Sequence, residues 1–94
     1  MGWGMQETLL EDTTMATMHT TLDKLEPGQE GVVTDVDVSN PLGRRLLELG
    51  IIPGQQARML RRAPLGDPIE IGLSSSYLSL RLYEASLVRL SLNS

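Results

Sequence analysis

Apolar and polar residues alternate, or nearly so, in five short stretches of this chain, and such a period of two is typical of β-strands that bury one face. The stretches are residues 31–38, 55–62, 69–74, 78–82 and 88–92. In the first, we expect the even-numbered residues from Val32 to Val38 to face the core, and Asp35 and Asp37 to face solvent. Five short strands predict a mainly β fold, a small barrel of about five strands, because closing a sheet removes most of its exposed edges.

Residues 41–49 follow a helical pattern instead. Leu42, Leu46 and Leu49 stand at positions i, i+4 and i+7, and Leu47 widens the apolar stripe. Apolar residues at this spacing line one face of an α-helix. We therefore predict one short α-helix over about residues 41–49, with its leucine face packed on an open end of the barrel.

The ends of this helix carry residues that suit helix termini. Asn40 or Ser39 can act as the N-cap, and Pro41 fits the first helical position, where its missing N–H leaves no bond unmade. Gly50 suits the left-handed residue that ends many helices. Residues 82–86 break the alternation of the later strands, and we predict a second helix of one turn there.

Residues 1–20 show neither helical nor alternating periodicity over a useful length. We interpret them as a flexible leader and place the folded domain at residues 21–94. The domain opens at residues 21–25 with either one helical turn or a short strand. Methionines at positions 5, 15 and 18 leave the natural start open. A chain of 94 residues supports one domain.

Composition and charge exclude several function classes. The chain has no cysteine, so it forms neither a disulfide framework nor a thiolate metal site. The net charge is −4, and the acids are concentrated in residues 1–43 whereas seven arginines lie in residues 44–94. An acidic chain with few aromatic residues is a poor binder of nucleic acid. No stretch is long and apolar enough to cross a bilayer, so we expect a cytoplasmic protein without direct membrane insertion.

Residues that carry catalysis or bind metals are scarce. His19 is the only histidine, and the only lysine, Lys24, lies in no phosphate-binding loop. We predict no enzyme activity, no cofactor and no metal site. Glu30, Asp35 and Asp37 offer oxygen atoms that a hard divalent cation could use, but carboxylates on an outward strand face are more often only solvated.

Two arginine pairs are the candidates for partner binding. One pair lies on the expected outer face of the helix, and the other lies at the rim of a proline-rich hairpin loop, residues 63–68. Planar guanidinium groups favour paired contacts with the carboxylates of a partner. The alternative is that the arginine stems only cover apolar edges while their charged ends stay in water. The predicted partner-binding residues are Arg44, Arg45, Arg61, Arg62, Leu65 and Asp67.

Four motifs, taken in order, resemble the FeoA family. They are L-x-x-L-x-P-G-Q-x-G-x-V from Leu22, R-R-L-L-E-L-G-I-I-P-G at Arg44–Gly54, R-A-P-L-G-D-P-I at Arg62–Ile69 and L-x-L-R-x-x-E-A at Leu78–Ala85. Each motif is weak alone, and the four together at these spacings are specific. The resemblance covers about residues 20–92, and the leader has no counterpart in it.

The resemblance implies an SH3-like β-barrel in a small cytoplasmic protein that accompanies the FeoB membrane transporter in ferrous iron uptake. GTP chemistry is assigned to FeoB, so the implied role is an accessory or regulatory protein–protein contact. The same fold occurs at the C-terminus of DtxR-like iron-dependent repressors. This gives the alternative of a stand-alone regulatory module that works with an iron-dependent transcriptional repressor. Weak self-association and binding of a divalent metal stay open.

Overall fold

A computed structural model describes residues 17–93, which form one antiparallel sheet, two short helices and a 3-10 turn. The strands are β1 (Thr17–Thr21), β2 (Glu30–Val36), β3 (Gln56–Arg62), β4 (Ile69–Gly72), β5 (Tyr77–Leu80) and β6 (Val88–Asn93). The helices are α1 (Pro41–Glu48) and α2 (Leu82–Ala85), and the 3-10 turn is Leu22–Lys24. The predicted mainly β fold is confirmed, with six strands in place of about five.

The strands lie in the order β1-β6-β2-β3-β4-β5, so β1 and β5 form the two edges of the sheet. The last strand of the sequence is therefore an inner strand. β6 pairs with β1 from Thr21↔Arg89 to Thr17↔Asn93, and with β2 from Val36↔Val88 to Val32↔Ser91. Strands β2 to β5 follow as consecutive antiparallel neighbours.

Strand β1 lies inside the segment predicted as a leader. Because it pairs with β6 along its whole length, residues 17–20 belong to the sheet, and the domain begins before residue 21. The strand escapes a pattern search because it lies at an edge of the sheet, where even Met18 is 56% exposed. Backbone pairing with β6 holds β1 in the sheet although β1 has no clear apolar face. The rest of the predicted leader, residues 1–16, lies outside the described residues.

Strand β2 departs from the predicted alternation because it contains a β-bulge. Its register with β6 shifts after Val33, and an extra residue at such a point moves the following side chains to the other face. Val33 and Val36 are buried, whereas Val32 is half-buried and Thr34 is exposed. The prediction that the even-numbered residues face the core is therefore correct at Val36 and wrong at Thr34 and at Val38, which is exposed.

The core is almost entirely aliphatic, and no polar or charged side chain of the described residues is buried in it. It consists of Leu22, Leu25, Val33, Val36, Leu46, Ile51, Ala57, Met59, Ile69, Ile71, Leu80, Ala85, Val88 and Leu90. Complete burial of one large aliphatic side chain stabilises a fold by about 1.5–3 kcal/mol. The two helices and the 3-10 turn each supply part of this core, so they are integral to the fold.

Helix α1 has the ends that the sequence predicts. Asn40 is the N-cap, and its Oδ1 accepts a hydrogen bond from the backbone N–H of Leu42 at 2.9 Å. Gly50, with φ of +105°, is the left-handed residue that follows the helix. Leu46 is buried at 1% exposure, but Leu49 is 42% exposed. The apolar stripe is therefore shorter than predicted, because Leu49 lies beyond the last helical residue.

Helix α2 confirms the predicted single turn. The Glu84 carboxylate accepts a hydrogen bond from the backbone N–H of Arg81 at 2.9 Å, which satisfies a donor at the start of the helix. Ala85, at its end, is fully buried. The turn thus links the edge strand β5 to the inner strand β6 while it adds a side chain to the core.

Candidate functional site

The predicted partner-binding residues of the hairpin surround the loop between β3 and β4. The N–H of Ala63 donates to the carbonyl of Pro68 at 2.9 Å, and the N–H of Gly66 donates to the carbonyl of Ala63 at 2.7 Å. Leu65 lies at the tip of this closed loop and is 96% exposed. A loop held by its own hydrogen bonds loses little conformational freedom on contact with a partner, which favours binding there.

Arg61 and Arg62 are adjacent in β3 but have different surroundings. Arg61 is exposed, and its Nε donates to Oε1 of Glu70 at 2.9 Å. This hydrogen bond and the negative charge of Glu70 raise the pKa of Arg61 above its ordinary value. Arg62 is half-buried, and its Nη2 donates to the carbonyl oxygens of Asp23 and Leu25, both at 2.9 Å. Arg62 therefore fastens the segment before β2 to the hairpin.

Asp67 also makes contacts within the chain. Its Oδ1 accepts a hydrogen bond from the backbone N–H of Leu82 at 3.1 Å, and it lies 4.0 Å from Nη1 of Arg81. These contacts join the hairpin loop to the first residue of α2. The carboxylate of Asp67 thus orients the loop that displays Leu65.

Arg44 and Arg45 lie on the exposed side of α1. Nη1 of Arg44 donates to the carbonyl oxygen of Val38 at 3.2 Å, across the loop that precedes the helix. Of the six predicted residues, four surround the β3–β4 hairpin and these two belong to α1. The prediction therefore describes two separate elements, with Arg44 and Arg45 exposed on α1 and only Arg61 exposed beside the hairpin loop.

The structure also contains a groove, lined by polar and charged residues, that the sequence did not predict. It crosses the outer side of β1, β6 and β2, and we call it the β1–β6–β2 groove. It has a volume of about 620 Å³ and is lined by His19, Thr20, Thr21, Lys24, Thr34 and Arg89. These residues come from three strands and the 3-10 turn, and only the strand order brings them together. The uneven charge of the chain does not signal this groove, since His19 and Lys24 lie in its acidic part and Arg89 in its arginine-rich part.

Two of the three carboxylates considered as cation ligands, those of Asp35 and Asp37, accept local hydrogen bonds. Oδ1 of Asp35 accepts from the backbone N–H of Val36 at 2.9 Å. Oδ1 of Asp37 accepts from the backbone N–H of Ser39 at 3.1 Å and from its hydroxyl at 2.6 Å. Within residues 17–93, no three His, Cys, Asp or Glu side chains are grouped so that they could hold a metal ion. In the same residues, no helix has the length and apolarity needed to cross a membrane.

A comparison with family models places most of the six-stranded sheet in one family. The model of the FeoA domain matches residues 20–92, from the end of β1 to the last described strand. The chain belongs to the FeoA family. The resemblance seen in the four sequence motifs is thereby confirmed.

Solved structures agree with the family model. The FeoA protein from Chlorobium tepidum is 35% identical, and the match covers 79% of this chain and 70% of that one with a TM-score of 0.69. FeoA from Stenotrophomonas maltophilia, a prokaryotic SH3 domain protein complexed with zinc, is 32% identical, and the match covers 73% of this chain and 86% of that one with a TM-score of 0.65. The predicted SH3-like fold is therefore confirmed.

A manganese-dependent transcriptional repressor shares the fold at lower identity. It is 19% identical, and the match covers 81% of this chain and 42% of the repressor with a TM-score of 0.71. The expectation that the same fold occurs at the C-terminus of DtxR-like repressors is confirmed. This likeness concerns the fold alone.

Proposed function

We propose that this protein is an accessory protein of ferrous iron uptake that acts in the cytoplasm by contact with a FeoB-type membrane transporter. The observation that carries the proposal is the FeoA-domain match over residues 20–92. The Stenotrophomonas maltophilia relative, for which a role as a ferrous iron transport activating factor has been suggested, supports the same process. The alternative role beside an iron-dependent repressor rests on a likeness of fold alone, and we do not propose it.

The β3–β4 hairpin is the contact surface that we favour. Leu65 is almost fully exposed at its tip, and the loop is closed by backbone hydrogen bonds. Arg62 and Asp67 anchor the hairpin to the 3-10 turn and to α2. A protruding aliphatic side chain on an anchored loop can fill a pocket of a partner, the arrangement in which a few residues supply most of the binding energy. Arg61, beside the loop, adds a charge at the rim of this contact.

The test is copurification of the full chain with the cytoplasmic domain of the transporter under anaerobic conditions. We expect the unchanged protein to be retained and the Leu65→Asp variant to bind at least tenfold more weakly, because a carboxylate cannot enter an apolar pocket without losing its water. Ile52→Asp is the matched control, since Ile52 is an exposed aliphatic residue outside the hairpin. Arg62 is left unchanged, because its loss would disturb the hairpin itself.

A second variant tests the helix surface in the same assay. Arg44→Glu combined with Arg45→Glu reverses two exposed charges of α1 and leaves the buried Leu46 in place. Weaker retention of this variant assigns the outer face of α1 to the contact. If the unchanged protein is not retained at all, the proposed partner is wrong. If Leu65→Asp binds as well as the unchanged protein, the hairpin is not the contact surface.

A further inference from the structure

We propose that the β1–β6–β2 groove binds an extended acidic segment of a partner protein that carries carboxylates at alternate positions. The groove displays a histidine, a lysine and an arginine, and no carboxylate is among its lining residues. The chain as a whole has a net charge of −4. This concentration of nitrogen donors is therefore a local feature of one surface, separate from the hairpin.

The nitrogen donors of the groove have no partners within residues 17–93. The two ion pairs in that part of the chain belong to Arg61 and Arg81. The side chains of His19, Lys24 and Arg89 donate no hydrogen bond to any described residue, and all three are exposed. The side chains of Arg44, Arg61, Arg62 and Arg81 meet carboxylates or carbonyls. Those of Arg45 and Arg58 do not, but they lie outside the groove. Within the described residues, the three groove side chains therefore have no acceptor that an external carboxylate would have to displace.

Arg89 makes no ion pair with a described carboxylate, although two aspartates lie near it. Arg89 stands opposite Asp35 in the register of β6 and β2, a position at which opposite charges on the same face normally attract. Oδ1 of Asp35 accepts from the backbone N–H of Val36. Asp35 and Asp37 line a second cavity, of about 240 Å³, that shares Arg89 with the groove. The hydroxyl of Thr34 donates to the carbonyl of Arg89 at 3.2 Å and holds the backbone at this point.

The spacing of the donors matches an extended peptide. His19 lies two residues before Thr21, and Thr21 is paired with Arg89. Two residues of a strand span about 6.6–6.8 Å. In an extended ligand, the side chains of residues i and i+2 lie on one side and have the same separation. One carboxylate can therefore meet Arg89 and Lys24 while the next meets His19, whereas a compact anion meets only one of these positions.

A titration of the full, ¹⁵N-labelled chain with a synthetic peptide tests this assignment by NMR. The probe is a blocked seven-residue peptide in which threonine or valine alternates with glutamate, and its control has glutamine in place of every glutamate. We expect saturable shifts of the backbone amides of His19, Lys24 and Arg89 with the acidic peptide. The control peptide should bind at least tenfold more weakly, and 0.5 M NaCl should weaken the acidic peptide by a similar factor, because salt screens exposed charges.

Charge removal on the protein completes the test. Lys24→Gln combined with Arg89→Gln should weaken the acidic peptide at least tenfold without altering the rest of the spectrum, because both side chains are exposed. Arg61→Gln is the matched control, since Arg61 already pairs with Glu70, and it should leave the affinity unchanged. The proposal is overturned if the glutamine peptide binds as tightly as the acidic peptide, or if inorganic phosphate or an oligothymidine does. It is also overturned if the amide shifts are confined to other surfaces or do not saturate. No transporter is present, so the result is independent of the proposed function.

Discussion

Gly43 shows how the absence of one side chain fixes the position of α1. It is buried in the first turn of the helix, and a Cβ built on it would overlap the backbone carbonyl of Asp37. Its N–H donates to the carbonyl of Asn40 at 2.8 Å. The loop that leaves β2 therefore passes directly against the helix, and glycine is the residue that permits this approach.

The Gly43→Ala variant separates this packing effect from helix propensity. Propensity alone favours alanine over glycine in a helix by about 1 kcal/mol. We expect the opposite sign, a loss of about 1–3 kcal/mol in the free energy of unfolding, because the loop must move to admit the methyl group. Urea denaturation followed by circular dichroism measures the change, with Glu48→Ala on the exposed side of α1 as control. Equal or greater stability of Gly43→Ala would contradict the close approach.

Single residues of the candidate contact surface were only partly predictable. The turn residues and prolines of the sequence located the hairpin, and the exposed Leu65 lies at its tip as expected for an apolar residue between two prolines. The sequence did not distinguish Arg61 from Arg62, because the carbonyl partners of Arg62 lie 37 and 39 positions away. Whether an arginine side chain is exposed to a partner or bonded within the chain depends on contacts with residues distant in the sequence.

At the scale of elements, strands were easier to predict than the faces they bury. Alternation located five strands. However, a bulge in β2 and another in β3, between Met59 and Arg61, change which side chains face the core after the bulge. In β3 the alternation holds through the buried Met59 and the exposed Leu60, and it fails at Arg61, which is also exposed. A bulge is a mismatch between two strands, so the sequence of one strand alone does not reveal it.

Two leucines of the α1 segment give a matched test of how this element is held. Leu46 is buried at 1% exposure and Leu49 is 42% exposed. We expect Leu46→Ala to lower the free energy of unfolding by about 2–5 kcal/mol, because it removes core contacts and leaves a cavity. Leu49→Ala should cost clearly less, since much of its side chain already meets water. Urea denaturation of both variants checks the ranking, and a loss below about 0.5 kcal/mol for Leu46→Ala would mean that α1 does not cover the core.

At the scale of the whole molecule, the strand order carries information that local patterns lack. Alternation identified β6 as a strand but could not show that it lies between β1 and β2. That arrangement recruits residues 17–20 into the sheet and forms the groove between His19 and Arg89. Neither the groove nor β1 could be predicted from local sequence patterns, because both depend on pairing between the two ends of the domain.

The inner position of β6 predicts that the domain cannot fold until its C-terminal strand is present. A chain that ends at Leu87 loses the pairing partner of β1 and one of the two neighbours of β2, together with the buried Val88 and Leu90. We expect this truncated chain to show neither a cooperative urea transition nor dispersed amide resonances. A synthetic peptide of residues 88–93, added in excess, should restore the dispersed spectrum, because it supplies the missing backbone pairing and both core side chains. A scrambled peptide of the same composition should not. A native-like spectrum of the truncated chain without peptide would show that strands β2 to β5 suffice, and that β6 is added to a sheet already formed.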